Sequence, residues 1–276
     1  MMDRTFIKSG VPGLDGMLGG GFLQNSITTL GGPTGVGKST FGMQFLYNGA
    51  YESNEVGLYI CIEESKQDFL FHMSGYDWDI TQAEKERKIV FLDYPVYEVD
   101  QIVEQSSAVA EIISSIGAKR VVLDSIMPIA LFYKSDDERK KGFLKLIDNI
   151  RKWNATTLIV SEDTAADEDA LPHSSYGIEK FTDGWIDVGY RCDEDTGERN
   201  RYVEVLKMKG VAHARRPFPA SVGNRGFTIG GGGAVVAASE AKGKAKPAAV
   251  KTAKSGSKSL FLTSRLEAAK AKLLKK

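Results

Sequence analysis

The chain has 276 residues, of which 42% are apolar, and it carries 36 basic and 36 acidic residues. Residues 239–276 hold 11 of the basic and 2 of the acidic residues, so a body of charge near −9 precedes a tail of charge near +9. No apolar run reaches the roughly 18 residues of a membrane-spanning helix, and the N-terminus lacks an apolar signal segment, so we expect a soluble, cytoplasmic protein with a substantial core.

Two short predicted elements precede the most informative stretch of the chain. Residues 9–22 place glycines and a proline at turn-like intervals around Leu14, Met17 and Leu18, which predicts a short helix closed by a glycine turn. The run at residues 26–30 predicts a strand. That strand leads directly into a glycine-rich loop.

Residues 32–40 read GPTGVGKST and fit the pattern G-x-x-x-x-G-K-[ST] between a predicted strand and a predicted helix. In such a loop the backbone N–H groups and the helix N-terminus point at phosphates. Lys38 then reaches the β- and γ-phosphates, and the Ser39 hydroxyl binds Mg²⁺. A chance match occurs in roughly one chain in a hundred of this length, so we assign an ATP site. Its predicted residues are Gly32, Pro33, Thr34, Gly35, Val36, Gly37, Lys38, Ser39 and Thr40.

A buried strand is predicted at residues 56–62, where apolar, β-branched and aromatic residues follow one another. Glu63 and Glu64 follow it directly, and two adjacent carboxylates are unexpected as packing at the end of a buried strand. Ligands bind at the carboxyl ends of parallel strands, so both glutamates are candidate site residues. Cys61 and Cys192 lack metal-ligand spacing, and we interpret both as buried, reduced thiols.

A second candidate metal ligand closes a later strand. The elements predicted before it are a helix at 66–75, a strand at 88–93 and a helix at 100–116. The strand at residues 120–125 then ends in Asp124. An Asp at this point of a phosphate-loop NTPase holds Mg²⁺, usually through water, and we expect its strand to pack beside the one that feeds the loop. The alternative is an Asp that caps a strand-to-loop turn, and the loop at residues 32–40 favours the metal role.

The last part of the body changes from alternating strands and helices to consecutive strands. The predicted elements are a helix at 136–153 and strands at 156–161, 185–192, 201–208 and 226–229. Ser161, which closes the first of these strands, is counted with the nucleotide-binding residues. The two middle strands, joined by a polar turn, form a predicted antiparallel hairpin. The pattern predicts an α/β fold with helices on both faces of a mostly parallel sheet and an antiparallel edge.

The residues after the body form a basic tail. Residues 230–259 are mostly Gly, Ala, Lys and Ser and cannot bury enough surface to order themselves. Further on, Ser264 and Glu267 form a predicted capping box, with leucines on one helical face and lysines elsewhere. The predicted organisation is a folded body at 1–230, a disordered basic linker at 231–259 and a short basic amphipathic helix at 260–276. An unknown protein partner, an anionic membrane surface, nucleic acid and the acidic body itself all remain open as ligands of the tail.

Six segments occur together in the order typical of one family: SGVPGLDGMLGGGF, GGPTGVGKSTFGMQFLYNGA, CIEESKQDF, RVVLDS, YGIEKFTDG and VLKMKGVAHARRPFP. Because it carries these segments in this order, the chain resembles the KaiC-type ATPases of the RecA superfamily over most of residues 5–229. The resemblance is to the form with a single ATPase domain. The resemblance implies a RecA-like fold and slow, Mg²⁺-dependent ATP hydrolysis that serves as an assembly or signalling switch. It also implies that Glu63 and Glu64 polarise the attacking water, a role that suits carboxylates close to a polyphosphate.

The resemblance further implies a ring of identical subunits, usually a hexamer, with ATP bound between neighbours. In that family a K-[LM]-R-G-x-x-H motif reaches the nucleotide of the adjacent subunit, and here the motif spans residues 207–213. Lys207, Lys209 and His213 are therefore predicted to bind the neighbour's nucleotide. Lys209 stands where the family has Arg, which keeps the charge and loses the planar bidentate fork.

Two other functions are compatible with the sequence. A RecA- or RadA-like DNA-dependent ATPase or recombination accessory protein would share the fold and could use the basic tail. The acidic body lacks a basic face, however, and no N-terminal DNA-binding module is recognisable, so nucleic acid is not the favoured partner. The second alternative is a non-hydrolysing assembly platform that binds ATP as a structural ligand. Glu63 and Glu64 argue against it, because a platform needs no water-activating pair.

Overall fold

The computed structural model describes residues 4–94, 106–164, 173–193 and 195–230. Its strands are β1 (Phe6–Ile7), β2 (Phe22–Leu23), β3 (Ile27–Gly31), β4 (Gly57–Cys61), β5 (Ile89–Asp93), β6 (Arg120–Asp124), β7 (Thr156–Val160), β8 (Asp163–Thr164), β9 (His173–Ser174), β10 (Gly184–Cys192), β11 (Arg199–Met208), β12 (Phe218–Gly223) and β13 (Gly226–Ile229). Its helices are α1 (Leu14–Met17), α2 (Lys38–Glu52), α3 (Lys66–Met73), α4 (Ile80–Lys85), α5 (Ser106–Ile116), α6 (Met127–Phe132) and α7 (Asp136–Arg151), and a 3₁₀ turn spans Ile178–Lys180.

Three predictions fall wholly or partly on parts of the chain that the structure does not describe. The linker and the amphipathic segment, residues 231–276, lie outside the described residues, as do residues 100–105 of the helix predicted at 100–116. Among the described residues, no helix has the length and apolar character needed to cross a bilayer.

Nine of the described strands form one sheet in the order β13-β12-β11-β10-β3-β7-β6-β4-β5. From β10 to β5 all neighbouring strands run parallel, whereas β11, β12 and β13 pair antiparallel beyond β10. The prediction of a mostly parallel sheet with an antiparallel edge is therefore confirmed. β12 was not predicted, because it alternates exposed and half-buried positions and carries no apolar run.

One expected strand adjacency is wrong. β6, which ends in Asp124, does not lie beside β3, because β7 pairs with β3 on one side and with β6 on the other. Motif order along a chain does not decide strand order, since crossover connections can carry a strand past its neighbour. The carboxyl ends of β3, β4, β6 and β7 still meet at one end of the sheet, because these strands run parallel. We call this the loop end of the sheet, and the other the opposite end.

The packing of α2 against the sheet fixes where the glycine-rich loop sits. Phe41 and Phe45 on α2 are fully buried. A Cβ at Gly49 would lie 2.2 Å from Nε of Arg120, so only glycine leaves room for that guanidinium. Arg120 is itself fully buried and donates to Glu55 Oε2 at 2.6 Å. These contacts hold α2, and therefore the loop that precedes it, against β6.

The cysteine prediction is half right. Cys61 is buried in β4, as expected, but Cys192 is exposed. β10 pairs with β3 only through residues 184–187, so its last residues have β11 as their sheet neighbour and no other strand of the described residues on their second edge. α4 and α6 were also not predicted, because six residues are too few for a periodic apolar pattern to stand out.

Candidate active site

The loop at residues 32–37 connects β3 to α2 at the loop end of the sheet. Gly32, Gly35 and Gly37 have φ angles of 146°, 80° and 101°, a region that other residues avoid. A Cβ at Gly32 would lie 2.1 Å from the backbone oxygen of Val188 on β10, so only glycine lets the loop pass this strand. The motif is thus realised as a tight turn that opens a helix, which is the arrangement that binds phosphate.

Lys38 is the first residue of α2 and is 8% exposed. Its Nζ donates to Gly32 O at 2.8 Å and to Pro33 O at 3.0 Å, which holds the ammonium over the first turn of the loop. Burial raises the pKa of three nearby carboxyl groups, and the charge of Lys38 opposes that rise in each of them. These carboxyl groups belong to Glu63, Asp124 and Asp187. Lys38 is therefore a shared cation for carboxylates from three strands.

The hairpin of β10 and β11 also contacts the loop. Arg201 Nε donates to Val36 O at 2.9 Å, and Tyr190 OH donates to Gly35 O at 3.4 Å. Arg201 additionally donates to Tyr190 OH at 2.7 Å, and its guanidinium lies 5.0 Å from the centre of that ring. Neither residue was predicted from the sequence, because strand alternation does not tell which hairpin side chain meets a loop about 165 residues earlier in the chain.

The structure brings together Ser39 and Asp124, the predicted Mg²⁺ ligands. The Ser39 hydroxyl hydrogen-bonds the Asp124 carboxylate, and Tyr59 OH donates to Asp124 Oδ2 at 2.5 Å. Burial raises the pKa of Asp124, and these two hydrogen bonds oppose the rise. Among the described residues, no group of three or more His, Cys, Asp or Glu could hold a metal ion by itself. One hydroxyl and one carboxylate do suit Mg²⁺, which usually takes few protein ligands together with phosphate oxygens and water.

Glu63, one of the two predicted water-activating residues, joins this cluster. Its Oε1 accepts a hydrogen bond from Ser125 Oγ, and Ser125 follows Asp124 through a cis peptide bond. Burial raises the pKa of Glu63, and the hydrogen bond from Ser125 opposes this rise. The charges of the Asp124 and Glu162 carboxylates raise the pKa further. Ser125 was not a predicted site residue, although its place directly after Asp124 was a usable signal.

Glu64 has different surroundings from Glu63. Its Oε2 lies 3.0 Å from Nδ1 of His72, an exposed residue near the end of α3. The structure thus brings Glu63 to the Asp124 cluster and pairs Glu64 with a surface histidine. Adjacent residues at the end of a strand point in different directions, which explains why a sequence pair need not act as a pair in space.

The residues that follow β7 complete the loop end. Ser161 is fully buried; its N–H donates to Leu30 O at 2.9 Å, and its Oγ has no hydrogen-bond partner within the described part of the chain. Glu162 Oε1 accepts a hydrogen bond from Thr34 Oγ1 at 2.9 Å, which joins β7 to the loop. Glu162 was missed as a site residue, and the signal that could have found it is again its position at the end of a buried strand.

The predicted trans-acting residues lie away from this chain's own loop. Lys207 Nζ donates to Glu179 O at 2.8 Å, and Lys209 Nζ lies 3.4 Å from Asp183 Oδ1. The Asp183 carboxylate also accepts a hydrogen bond from the N–H of Ile27, the first residue of β3. β3 rises about 3.3 Å per residue, which puts these lysines roughly 16 Å from Gly32.

Lys207 and Lys209 are close enough to influence each other. Burial lowers the pKa of Lys207, and the charge of Lys209 lowers it further. His213 follows on the same segment, and its Nδ1 lies 2.8 Å from Ala214 O. The two lysines therefore belong to the opposite end of the sheet, away from phosphates held by their own loop.

Comparisons with known proteins agree with this architecture. A family model described as "ATPase: KaiC" matches residues 7–233. The circadian clock oscillator protein KaiC of Parathermosynechococcus lividus is 30% identical over 230 residues, which are 80% of this chain and 42% of that protein. A UPF0273 protein of Pyrococcus furiosus is 28% identical over 237 residues, which are 81% of this chain and 93% of the relative.

A solved structure is similar over nearly its whole length. The crystal structure of a KaiC-like protein from Pyrococcus horikoshii OT3 has a TM-score of 0.71 and 33% sequence identity, and the match covers 82% of this chain and 99% of that one. In contrast, the present chain spans less than half the length of the circadian clock relatives that it matches.

Proposed function

Because this chain belongs to the KaiC family of ATPases, we propose that it binds ATP together with Mg²⁺ and hydrolyses it slowly. The nucleotide state would switch its assembly or its binding to a partner. The observation that carries this proposal is the convergence of Lys38, Asp124 and Glu63 around the glycine-rich loop. A phosphate-binding cation, a metal ligand and a candidate base are the groups that phosphoryl transfer to water needs.

The proposed chemistry assigns one task to each group. The loop N–H groups bind the phosphates, and Lys38 Nζ leaves the carbonyls of Gly32 and Pro33 for a phosphate oxygen. Ser39 and Asp124 hold Mg²⁺, which when bound neutralises charge on the phosphate oxygens. These interactions form with ATP before any bond breaks, so they contribute to binding as well as to turnover.

Glu63 is proposed as the general base. Ser125 donates to its Oε1, which leaves Oε2 free to accept a proton from the water that attacks the γ-phosphate. Burial raises the pKa of Glu63, and a base whose pKa lies closer to the working pH transfers protons more effectively. Glu64, which is paired with His72 away from the Asp124 cluster, is proposed to have a secondary role in the same step.

We propose a homo-oligomeric ring, of six subunits as in the family, with ATP at each subunit interface. Lys207 and Lys209 are too far from their own loop to bind its phosphates, and Lys207 has a lowered pKa because of burial. Cations at one end of a subunit and a phosphate site at the other suit head-to-tail contacts, which form a ring when the rotation between neighbours closes. His213 would contact the same neighbouring nucleotide.

The tail is proposed as a tether outside the catalytic body. On this view residues 1–230 form the ATPase domain, residues 231–259 a disordered basic linker and residues 260–276 a short basic helix that orders on binding a protein partner. The charge near +9 in residues 239–276 supports an acidic ligand.

Two variants separate nucleotide binding from chemistry. Lys38→Ala should abolish ATP binding, because Lys38 contacts phosphates in the ground state. Glu63→Gln combined with Glu64→Gln should bind ATP normally and stop hydrolysis, because a general base acts only in the chemical step. Calorimetric titration measures the first effect, and phosphate release measures the second. Undiminished turnover in the double variant would refute the assignment.

A further inference from the structure

A buried carboxylate lies beside the glycine-rich loop and has no part in the proposed chemistry. Asp187 on β10 is the register partner of Gly31, the last residue of β3 before the loop. Asp187 is only 2% exposed, and its Oδ2 accepts a hydrogen bond from Tyr202 OH at 2.9 Å. Aspartate is rarely buried to this extent, so its place next to a phosphate-binding loop calls for a functional explanation.

Tyr202 reaches Asp187 because the hairpin provides the space. Gly189 is the register partner of Tyr202, and a Cβ at Gly189 would lie 2.5 Å from Cζ of the Tyr202 ring. The ring therefore lies across a position that only glycine leaves open, with its hydroxyl directed at the carboxylate. Three residues of the hairpin thus cooperate to hold one negative charge.

The charged groups that face Asp187 come from β11 and from the start of α2. Burial raises the pKa of Asp187 to about 6, and the charge of Glu204 adds to this rise. The hydrogen bond from Tyr202 and the charge of Lys38 both oppose the rise. Burial and the Asp187 charge also raise the pKa of Tyr202, which therefore remains a hydrogen-bond donor at neutral pH. The interaction with Lys38 places the Asp187 charge within reach of the ammonium that binds phosphates.

We propose that Asp187 is an affinity-determining residue of the nucleotide site: its negative charge, held by Tyr202 beside the loop, weakens polyphosphate binding and speeds the release of ADP. This inference rests on the proposed function of the site. Like charges about 10 Å apart, at an effective dielectric constant of about 20, shift an equilibrium by roughly tenfold. A nearby carboxylate therefore offsets part of the attraction that the loop and Lys38 provide.

The inference predicts a specific pH dependence. The carboxyl group of Asp187 is neutral well below pH 6 and charged well above it, so the repulsion should act at pH 8 and vanish near pH 5. Protonation of the phosphates and of other site carboxyl groups also changes affinity, but it does so in the wild type and in a neutral variant alike. The ratio of their dissociation constants therefore reports Asp187 alone.

The test measures the dissociation constant of ADP without Mg²⁺, by calorimetry, for the full-length wild type and for Asp187→Asn. The amide oxygen can still accept the hydrogen bond from Tyr202, so the variant removes the charge and keeps the shape. We expect Asp187→Asn to bind ADP at least about threefold more tightly at pH 8 and equally at pH 5. Glu198→Gln, on the exposed turn of the same hairpin, is the charge-matched control and should bind ADP like the wild type.

A second variant tests the role of Tyr202. Tyr202→Phe removes a hydrogen bond that stabilises the charged form of Asp187, so the pH at which the affinity ratio changes should move upward. Equal or weaker ADP binding by Asp187→Asn at pH 8, with the circular dichroism of the wild type, would overturn the inference alone. A wild type that binds neither ADP nor ATP would overturn the proposed function itself, and this inference with it.

Discussion

The two ends of the parallel sheet differ in their balance of charge: carboxyl groups outnumber cations at the loop end, whereas each cation at the opposite end has a carboxylate near it. At the loop end, Lys38 shares its surroundings with four carboxyl groups. They belong to Glu63, Asp124, Glu162 and Asp187. At the opposite end, Arg151 and Lys209 both contact the carboxylate of Asp183, and Lys207 lies near them. The charge of Glu179 also acts on Lys207, and the charge of Asp148 acts on Arg151. A polyphosphate at the acid-rich end needs further cations, which under our proposal come from Mg²⁺ and from the lysines at the opposite end of a neighbouring subunit.

One strand connects the two ends. β11 begins near the loop, where Arg201 donates to Val36 O, and finishes at the opposite end with Lys207. The same strand therefore supports the chain's own phosphate loop and presents the residues proposed for a neighbour's nucleotide.

The largest expected effect separates the two glutamates at the loop end. Glu63→Gln should lower kcat by about 10² to 10⁴, the usual contribution of a general base. Glu64→Gln should cost roughly tenfold or less, because Glu64 is paired with His72 and lies apart from the Asp124 cluster. Phosphate release at saturating ATP measures both. Equal losses in the two single variants would contradict the asymmetry between them.

The second effect contrasts one buried acid from each end. Asp187 has a pKa raised from 3.8 to about 6, so the fold loses stability as the pH rises from about 4 to 6, and the full penalty of the buried charge applies above that range. Asp187→Asn should therefore raise the free energy of unfolding by up to about 3 kcal/mol at pH 8. The gain should shrink as the pH falls through 6 and disappear below about 4. Urea denaturation at a series of pH values measures it.

Asp183 at the opposite end supplies the matched control. Burial acts to raise its pKa, but hydrogen bonds from Arg151 and from the Ile27 N–H lower it below the usual value. Its charge therefore stabilises the fold above the ordinary pKa of Asp, and this contribution is lost as the pH falls. Asp183→Asn should destabilise the protein at pH 8 by roughly 1 to 3 kcal/mol. Changes of the same sign in both variants would show that the two ends are electrostatically alike.

The third effect concerns assembly. Lys207→Ala combined with Lys209→Ala should raise the protein concentration needed for ATP-dependent assembly by about tenfold, since ATP then loses contacts across the interface. Light scattering with and without ATP measures the change. Lys140→Ala, an exposed lysine on α7, is the control and should assemble like the wild type. A wild type that remains monomeric with ATP and is fully active would remove the basis for trans-acting lysines.

The smallest expected effect comes from the tail. Deleting residues 231–276 should leave turnover and nucleotide affinity unchanged, because no predicted site residue lies in that segment. The deletion should also abolish salt-sensitive binding to acidic ligands, which the charge near +9 supports. Phosphate release and binding to a polyanion column at two salt concentrations measure these outcomes. A truncated protein without ATPase activity would show that the tail belongs to the catalytic machine.

Most elements of the fold were predictable, because long elements carry their own periodic pattern. The strands from β3 to β7 and the hairpin of β10 and β11 were all predicted within about two residues of their observed bounds. The short helices α4 and α6, the strand β12, which lacks an apolar run, and the two-residue strands β1, β2, β8 and β9 were not predicted. In each case tertiary contacts stabilise an element that the local sequence pattern does not indicate.

The candidate site divides in the same way. Gly32, Lys38 and Ser39 were found from sequence, because the phosphate-binding motif consists of consecutive residues whose geometry is set locally. Ser125 and Glu162 carried a weaker signal, as polar residues directly after buried strands. No signal in the sequence pointed to Tyr190, Arg201 or Asp187. The hairpin that carries them reaches the loop only because β10 pairs with β3, about 150 residues earlier in the chain.

The sequence by itself therefore determined the phosphate loop, the mostly parallel sheet and the family, since these follow from spacing along the chain. Only the tertiary structure decided that β7 separates β6 from β3, that Glu63 and Glu64 face different partners, and that Asp187 lies beside the loop. The physical reason is that backbone periodicity and loop geometry are local properties. The choice of neighbouring strands and the meeting of distant side chains depend instead on how the whole core packs.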